Sequence, residues 1–204
     1  MESMFELMQK GGLAMYPLLF LSILSWAIIV ERLINMRSFG YSSKHFKDLK
    51  LLLAGKDIDG AVKLLSTDNS HMGRVLKDML EGYGKGRITK EDLLRTIDLE
   101  LSLLVPKLEK NLPLLSTVAS VAPLIGLFGT ITGLIKVFSA FATANPEQAM
   151  ALLSKGISEA LVAAATGLAV AIPALVAYWL FRIWGNSILN RLEEEVFEVI
   201  RVIS

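Results

Sequence analysis

Among the polar side chains inside the long apolar stretches of this sequence, three have types and positions that could assist an ion. Thr130 lies in PLIGLFGTITGLIKVF (123–138), and Glu159 and Thr166 lie in GISEALVAAATGLAVAIPALVAYWLF (156–181). Glu159 precedes Thr166 by seven residues, almost two helical turns, so both side chains share one helix face. A carboxylate within a membrane-spanning helix normally faces protein or water, because its exposure to lipid is costly. Aligned with hydroxyl groups, it can help an ion to pass, so these residues are the candidate ion pathway.

Each of these residues also has a purely structural explanation. A threonine in a membrane helix often donates its hydroxyl to a carbonyl of its own helix. Glu159 lies near the start of its run, at the outer end, where a carboxylate can stabilise the helix N-terminus through the helix dipole. Lys136, near the end of the other run, is expected to extend its ammonium toward the membrane surface.

Small residues surround these polar positions and recur every three or four residues. Helices in lipid associate through close backbone approach, which small side chains permit. The simplest interpretation is that such faces pack the two runs against each other within one chain. The alternative is that they also line a subunit interface or a central passage. The small residues are Ala119, Ala122, Gly126, Gly129 and Gly133 in the first run, and Ala160, Ala164, Gly167, Ala171 and Ala174 in the second.

The composition is that of a polytopic, all-helical membrane protein. Of the 204 residues, 53% are hydrophobic and 20% are charged, and the mean hydropathy is +0.51, which exceeds what a soluble domain carries. Three stretches reach the roughly 20 residues that a helix needs to cross a bilayer. The net charge of +1 gives no basic excess for nucleic acid, and the absence of cysteine excludes disulfides and thiol chemistry.

Basic residues set the expected orientation. They cluster after the first span, before the second and after the third, so the positive-inside rule places the N-terminus outside and the C-terminus in the cytoplasm. The first apolar run is too long for a signal peptide and is expected to remain as an anchor. The expected parts are an outer segment (1–12), a first transmembrane helix (13–31), a cytoplasmic helical domain (32–111), a second transmembrane helix (112–141), an outer loop (142–155), a third transmembrane helix (156–182) and a cytoplasmic C-terminal helix (183–204).

The cytoplasmic segment shows helical spacing of its apolar residues and no strand pattern. Asp57 is a predicted N-cap, and Thr89 opens a predicted capping box with Asp92. From Thr89 a long helix is expected to run directly into the second span, bent by Pro106 and Pro113. The C-terminal helix is expected to pack on its neighbours through one apolar face: Ile188, Leu192, Val196, Val199 and Ile203.

Enzyme chemistry has little support in the sequence. His45 and His71 stand alone, without the spacing of a metal or triad motif, and are explained as surface or partly packed side chains. GYGKGR (82–87) lacks the pattern of a phosphate-binding loop and follows no strand, so it is interpreted as an ordinary loop. We therefore expect no enzyme activity, no metal and no cofactor.

The two apolar runs resemble the second- and third-helix motifs of the ExbB/TolQ/MotA proton-channel family. The resembling segments are APLIGLFGTITGLIKVF (122–138) and GISEALVAAATGLAVAIPA (156–174). The three-span layout extends the resemblance over nearly the whole chain and favours the ExbB/TolQ branch over the four-span MotA branch. The matching residues are Pro123, Gly126, Gly129, Thr130 and Gly133, and Gly156, Glu159, Ala160, Leu161, Gly167, Leu168, Ile172 and Pro173.

The resemblance implies a ring-forming subunit of a motor in the bacterial inner membrane. Such rings are pentamers around two copies of a small single-span partner of the ExbD/TolR type, whose membrane aspartate carries the ion and which delivers work to the cell envelope. Thr130 and Glu159 match positions of the ion path and of partner contact. Helix packing and partner contact are expected at Pro123, Gly126, Gly129, Gly133, Ala160, Ala164, Gly167 and Pro173.

One departure bears on the ion. The family often has a threonine where this chain has Ala164, and the nearest hydroxyl, Thr166, is turned about 200° around the helix. A sodium ion needs several oxygen ligands, whereas a proton can pass through one carboxylate and a few hydroxyls or waters. The missing oxygen therefore favours a proton over sodium.

Two other functions stay open. A self-sufficient channel or transporter needs its own ionisable group near the bilayer midplane, but the charged residues between 112 and 181 all lie at or beyond the outer ends. A purely structural scaffold explains the small residues but not the alignment of Glu159 with Thr166. The charged residues in question are Lys136, Glu147, Lys155 and Glu159.

Overall fold

The fold is helical in every part that the structure describes. The structure, a computed structural model, describes residues 11–38, 43–68, 70–141 and 146–203, and these ranges contain helices and no strand. The predicted all-helical class is confirmed. The helices are α1 (Met15–Ser38), α2 (Ser43–Ala54), α3 (Ile58–Leu65), α4 (His71–Gly84), α5 (Lys90–Leu108), α6 (Leu112–Phe141) and α7 (Pro146–Val202).

Three helical stretches are long and apolar enough to cross a membrane, as predicted. They lie within Met15–Met36, Lys90–Ser139 and Ala149–Val202. Most of the expected outer segment and the first part of the outer loop (142–145) lie outside the described residues, and so do the side chains of His45 and His71.

One compact unit contains the described residues of the ranges Met1–Arg32 and Asn111–Phe181. Leu18 of α1, Ala122 of α6 and Ala171 of α7 are buried against one another. The opposite sides of the helices carry large exposed apolar side chains, such as Leu124 and Ile172. Such a surface fits lipid, which solvates apolar side chains as readily as a protein core does.

A second compact unit contains Leu33–Lys110 and Arg182–Ser204. Its core gathers buried side chains of α2 to α5 and of the last part of α7. The predicted apolar face of the C-terminal segment is confirmed, because Leu192, Val196, Val199 and Ile203 are buried in this core and Ile188 packs at its edge.

Two helix starts in this unit follow the predicted caps. The Asp57 carboxylate accepts a hydrogen bond from the Gly60 N–H at 2.8 Å. The Asp92 N–H donates to the Thr89 hydroxyl at 3.2 Å, and the Thr89 N–H donates to the Asp92 carboxylate at 2.9 Å. These reciprocal bonds satisfy backbone donors that a helix start otherwise leaves open, so both predictions are confirmed.

The prediction of one continuous helix from Thr89 into the second span is wrong. α5 ends at Leu108 and α6 begins at Leu112. Between them Asn111 has a φ of 63°, a left-handed conformation that asparagine tolerates better than most residues. Pro113 then falls in the first turn of α6, where its missing N–H costs no hydrogen bond. The proline therefore starts a new helix and does not bend a continuous one.

The segment expected as an outer loop is partly helical. α7 begins at Pro146, ten residues before the predicted start of the third span at Gly156. Proline is favoured at a first helical position, and the alanine, methionine and leucine residues that follow are good helix formers. α7 then continues without interruption to Val202.

Candidate ion pathway

α6 and α7 approach each other through glycine. A Cβ atom added to Gly167 would lie 2.7 Å from the Ala122 carbonyl oxygen and 3.0 Å from the Gly126 Cα. A Cβ added to Gly126 would in turn lie 3.0 Å from the Ala163 carbonyl oxygen. These neighbours are backbone atoms, which cannot rotate aside as a side chain can. Gly126 and Gly167 therefore set how closely the two helices pack.

The contact between α6 and α7 continues toward the C-terminal end of α6. A Cβ at Gly129 would lie 2.6 Å from the Ala163 Cβ and 2.9 Å from the Cβ of Ala14, the residue before α1. A Cβ at Gly156 would lie 1.8 Å from the Val137 Cγ2. These glycines therefore pack the two spans against each other within one chain.

The buried line on α7 differs by one residue from the predicted stripe. Ala163 is fully buried, whereas Ala164 is half-buried beside the contact, its Cα 3.3 Å from a Cβ at Gly126. Both series, 156, 160, 163, 167 and the predicted 160, 164, 167, advance by three- and four-residue steps, so the spacing alone does not distinguish Ala163 from Ala164. Of the two prolines, Pro123 is half-buried and Pro173 is exposed, and both lie inside continuous helices.

The two threonines of the candidate pathway donate to their own helices. The Thr130 hydroxyl donates to the Leu127 carbonyl at 2.6 Å, and the Thr166 hydroxyl donates to the Val162 carbonyl at 2.8 Å. Each hydroxyl proton is therefore used in a hydrogen bond within the helix, as the structural explanation predicts. Each hydroxyl oxygen can still accept a hydrogen bond, because a hydroxyl has one donor and two acceptor lone pairs.

Glu159 forms an ion pair across the helix contact. The Lys136 ammonium on α6 donates to the Glu159 Oε1 on α7 at 3.0 Å. The glutamate side chain is 21% exposed and the lysine side chain 62%. The sequence interpretation treated these two residues separately and missed the pair. The available signal was that both lie beside facing small-residue stripes, near the same end of antiparallel helices.

The backbone before α1 also lies against the same carboxylate. A Cβ at Gly12 would lie 2.0 Å from the Glu159 Oε1, so a larger residue here would displace the carboxylate from its present position. Gly12 also has a φ of 68°, a conformation that other residues rarely adopt. Glu159 is therefore held where three segments meet: the entry to α1, α6 and α7. No pattern in the sequence pointed to Gly12.

The chain matches a known family over this region. Residues 67–194 match the MotA/TolQ/ExbB proton channel family. This range covers more than half of the chain and includes Thr130, Glu159 and Thr166. The chain belongs to this family. The resemblance seen in the two helix motifs is thereby confirmed.

Several individual proteins are similar to this family member over most of its length. The chain is 33% identical over 174 residues to the Tol-Pal system protein TolQ of Haemophilus influenzae, covering 77% of this chain and 72% of that protein. It is 29% identical over 190 residues to TolQ of Pseudomonas aeruginosa, covering 88% and 81%. It is 27% identical over 209 residues to the biopolymer transport protein exbB1 of Vibrio cholerae, covering 95% and 85%.

This MotA/TolQ/ExbB family member is thus a membrane protein of the TolQ/ExbB type with three apolar helices. The family is one of proton channels and is not an enzyme class.

Proposed function

We propose that this chain forms the ring of a proton-driven motor in the bacterial inner membrane. In this proposal five copies surround the transmembrane helices of two copies of a small ExbD/TolR-type partner. The N-terminus is periplasmic and the C-terminus cytoplasmic. Proton flow turns one component relative to the other, and the partner transmits the work to the cell envelope. Membership of the proton channel family and similarity to TolQ and exbB1 support this function.

One observation carries the proposal. Between residues 112 and 181 the charged residues are Lys136, Glu147, Lys155 and Glu159, all in the last turns of α6 or the first turns of α7. The middle of both spans has no group of its own that titrates near neutral pH, and Glu159 is already paired with Lys136. A carboxylate from a second protein is therefore needed to carry a proton between the two sides.

The proposed step is a protonation that changes where the partner helix prefers to lie. The partner's carboxylate takes up a proton on the outer side and becomes neutral. Burying the neutral acid in an apolar interface costs far less than burying the ion, so the two forms favour different rotational positions. The acid then passes Thr130, whose oxygen can accept its hydrogen bond, and releases the proton inward.

Proton flux in reconstituted vesicles tests this function. The chain alone, the partner alone and the two together are compared under a proton gradient and then under a sodium gradient. We expect ion flux only from the complex of the chain with its partner, and only under the proton gradient. A partner whose membrane aspartate is replaced by asparagine is the matched control and should be inactive. Equal flux from the chain alone would establish a self-sufficient channel instead, and flux driven only by sodium would contradict the choice of ion.

A further inference from the structure

Two segments approach the Glu159 carboxylate. Lys136 of α6 donates to its Oε1 at 3.0 Å. The same oxygen lies 2.0 Å from where a Cβ of Gly12, in the segment before α1, would be. A glutamate has three rotatable side-chain bonds, and a single contact leaves it several positions. The approach of two separate segments reduces the number of positions open to the carboxylate.

Lys136 is suited to hold a group on a neighbouring helix. Its four-carbon stem spans the contact while its ammonium stays accessible, with the side chain 62% exposed. An ammonium has three donors, so one can bond Glu159 while the others contact water or lipid headgroups. The pair carries no net charge, whereas either partner alone leaves a full charge at this end of the helices.

We propose that Lys136 is the positioning residue for Glu159 and that the two act as one neutral unit at the outer end of the proton path. This inference rests on the proposed function and on the place of Glu159 in the candidate ion pathway. Lys136 acts through the carboxylate, by fixing where it lies, and does not itself carry the proton. When Glu159 alone is removed, the remaining ammonium repels an arriving cation. Removing Lys136 as well abolishes that repulsion.

Proton flux of the full chain reconstituted with its partner tests the unit. Lys136→Met should lower the flux about two- to fivefold, the range that the loss of a partly exposed ion pair supports. Lys136→Arg should retain it. The double variant Lys136→Met/Glu159→Gln should conduct better than Glu159→Gln alone. Lys155→Met is the control, because it removes another positive charge, one turn from Glu159 on the same helix. This variant should resemble the wild type.

A second measurement does not depend on flux. A hydrophobic carbodiimide is applied to the purified chain. Modification of Glu159 is followed by peptide mass as the sum of two products: the attached acylurea, and the amide that forms when the Lys136 amine displaces the urea. Lys136 bonds one of the two carboxylate oxygens and limits access of the reagent, so total modification should be faster in Lys136→Met than in the wild type and should not be faster in Lys136→Arg. Gly12→Ala adds a methyl group that displaces the carboxylate from its position beside Lys136, so this variant should also be labelled faster.

The outcomes separate the two proposals. Unchanged labelling in Lys136→Met overturns the positioning role whether or not the complex conducts. A double variant that conducts no better than Glu159→Gln also overturns it, because the charges would then act independently. A wild-type complex without proton flux contradicts the proposed function alone, and faster labelling of Lys136→Met still supports the positioning role.

Discussion

A threonine that bonds its own helix can still serve a passing acid. Thr130 donates to Leu127, which orients the hydroxyl and leaves its lone pairs for an incoming donor. A protonated carboxyl is such a donor, whereas an ionised carboxylate accepts hydrogen bonds only. The bond within the helix and a place on the ion path are therefore compatible roles for the same side chain.

Thr130→Ala should weaken transduction and leave the ring assembled. Loss of one hydrogen-bond acceptor for the neutral acid corresponds to about a two- to tenfold lower proton flux. Flux with the partner and co-purification of the partner are the two measurements. Thr130→Ser, which keeps the hydroxyl, should retain activity. Thr132→Ala is the matched control, because Thr132 also donates to its own helix, to the Phe128 carbonyl at 3.0 Å. Unchanged flux in Thr130→Ala would contradict the role.

The Asp92 carboxylate makes the start of α5 sensitive to acid. The backbone N–H and then the hydroxyl of Thr89 donate to it and lower the pKa of Asp92 below its usual value. A lowered folded pKa means that the stabilisation is present above the ordinary aspartate pKa and is lost as the pH falls through the lowered one.

Hydrogen exchange at the start of α5 should therefore accelerate as the pH falls through the acidic range, after correction for the intrinsic pH dependence of exchange. Asp92→Asn keeps an oxygen acceptor for the Thr89 N–H but does not titrate near that pH, so its protection should vary less. Equal pH dependence in the two proteins would show that the capping carboxylate does not control this helix start.

At the scale of helices, the α6–α7 contact depends on glycine where backbone meets backbone. Gly167→Ala places a methyl group 2.7 Å from the Ala122 carbonyl oxygen, so the helices must separate. Overpacking of this kind costs about 1–3 kcal/mol. We expect a lower midpoint in thermal unfolding of the detergent-solubilised chain.

Gly185→Ala is the matched control within the same helix. Its added Cβ would lie 3.6 Å from the Met36 Cε and 3.7 Å from the Leu108 Cβ, which is ordinary contact. Alanine also favours a helix interior over glycine by about 1 kcal/mol. This variant should be as stable as the wild type or more stable. Equal midpoints for the two alanine variants would mean that close approach at Gly167 is not required.

At the scale of the whole molecule, the features that could be predicted from the sequence are those that depend on periodicity and composition. The apolar runs located the spans, and three- and four-residue spacing identified the buried face that includes Leu192 and Val196. Side chains that bond their own helix start, such as Asp57 and Thr89, were predicted because their partners lie three residues away. Such features require no knowledge of which distant segments meet.

What escaped prediction depends on distant segments or on single backbone angles. The pair of Lys136 with Glu159 requires the alignment of two helices, and the fit of Gly12 against Glu159 requires the path of the chain before α1. The break at Asn111 rests on one left-handed residue in an otherwise helical pattern. Ala163, which is fully buried beside the predicted Ala164, could not be singled out because adjacent alanines look alike in composition.

The contact between Gly126 and Gly167 has a consequence for the entropy of assembly. Neither residue has a side-chain rotamer to lose when the helices meet, and the flanking alanines have none either. In water glycine would weaken each helix, because the unfolded backbone is so free. In lipid the helix is already formed by its own hydrogen bonds before it meets a neighbour. The joining of α6 with α7 therefore restricts almost no side-chain motion, and attraction between close backbones can hold the two spans together.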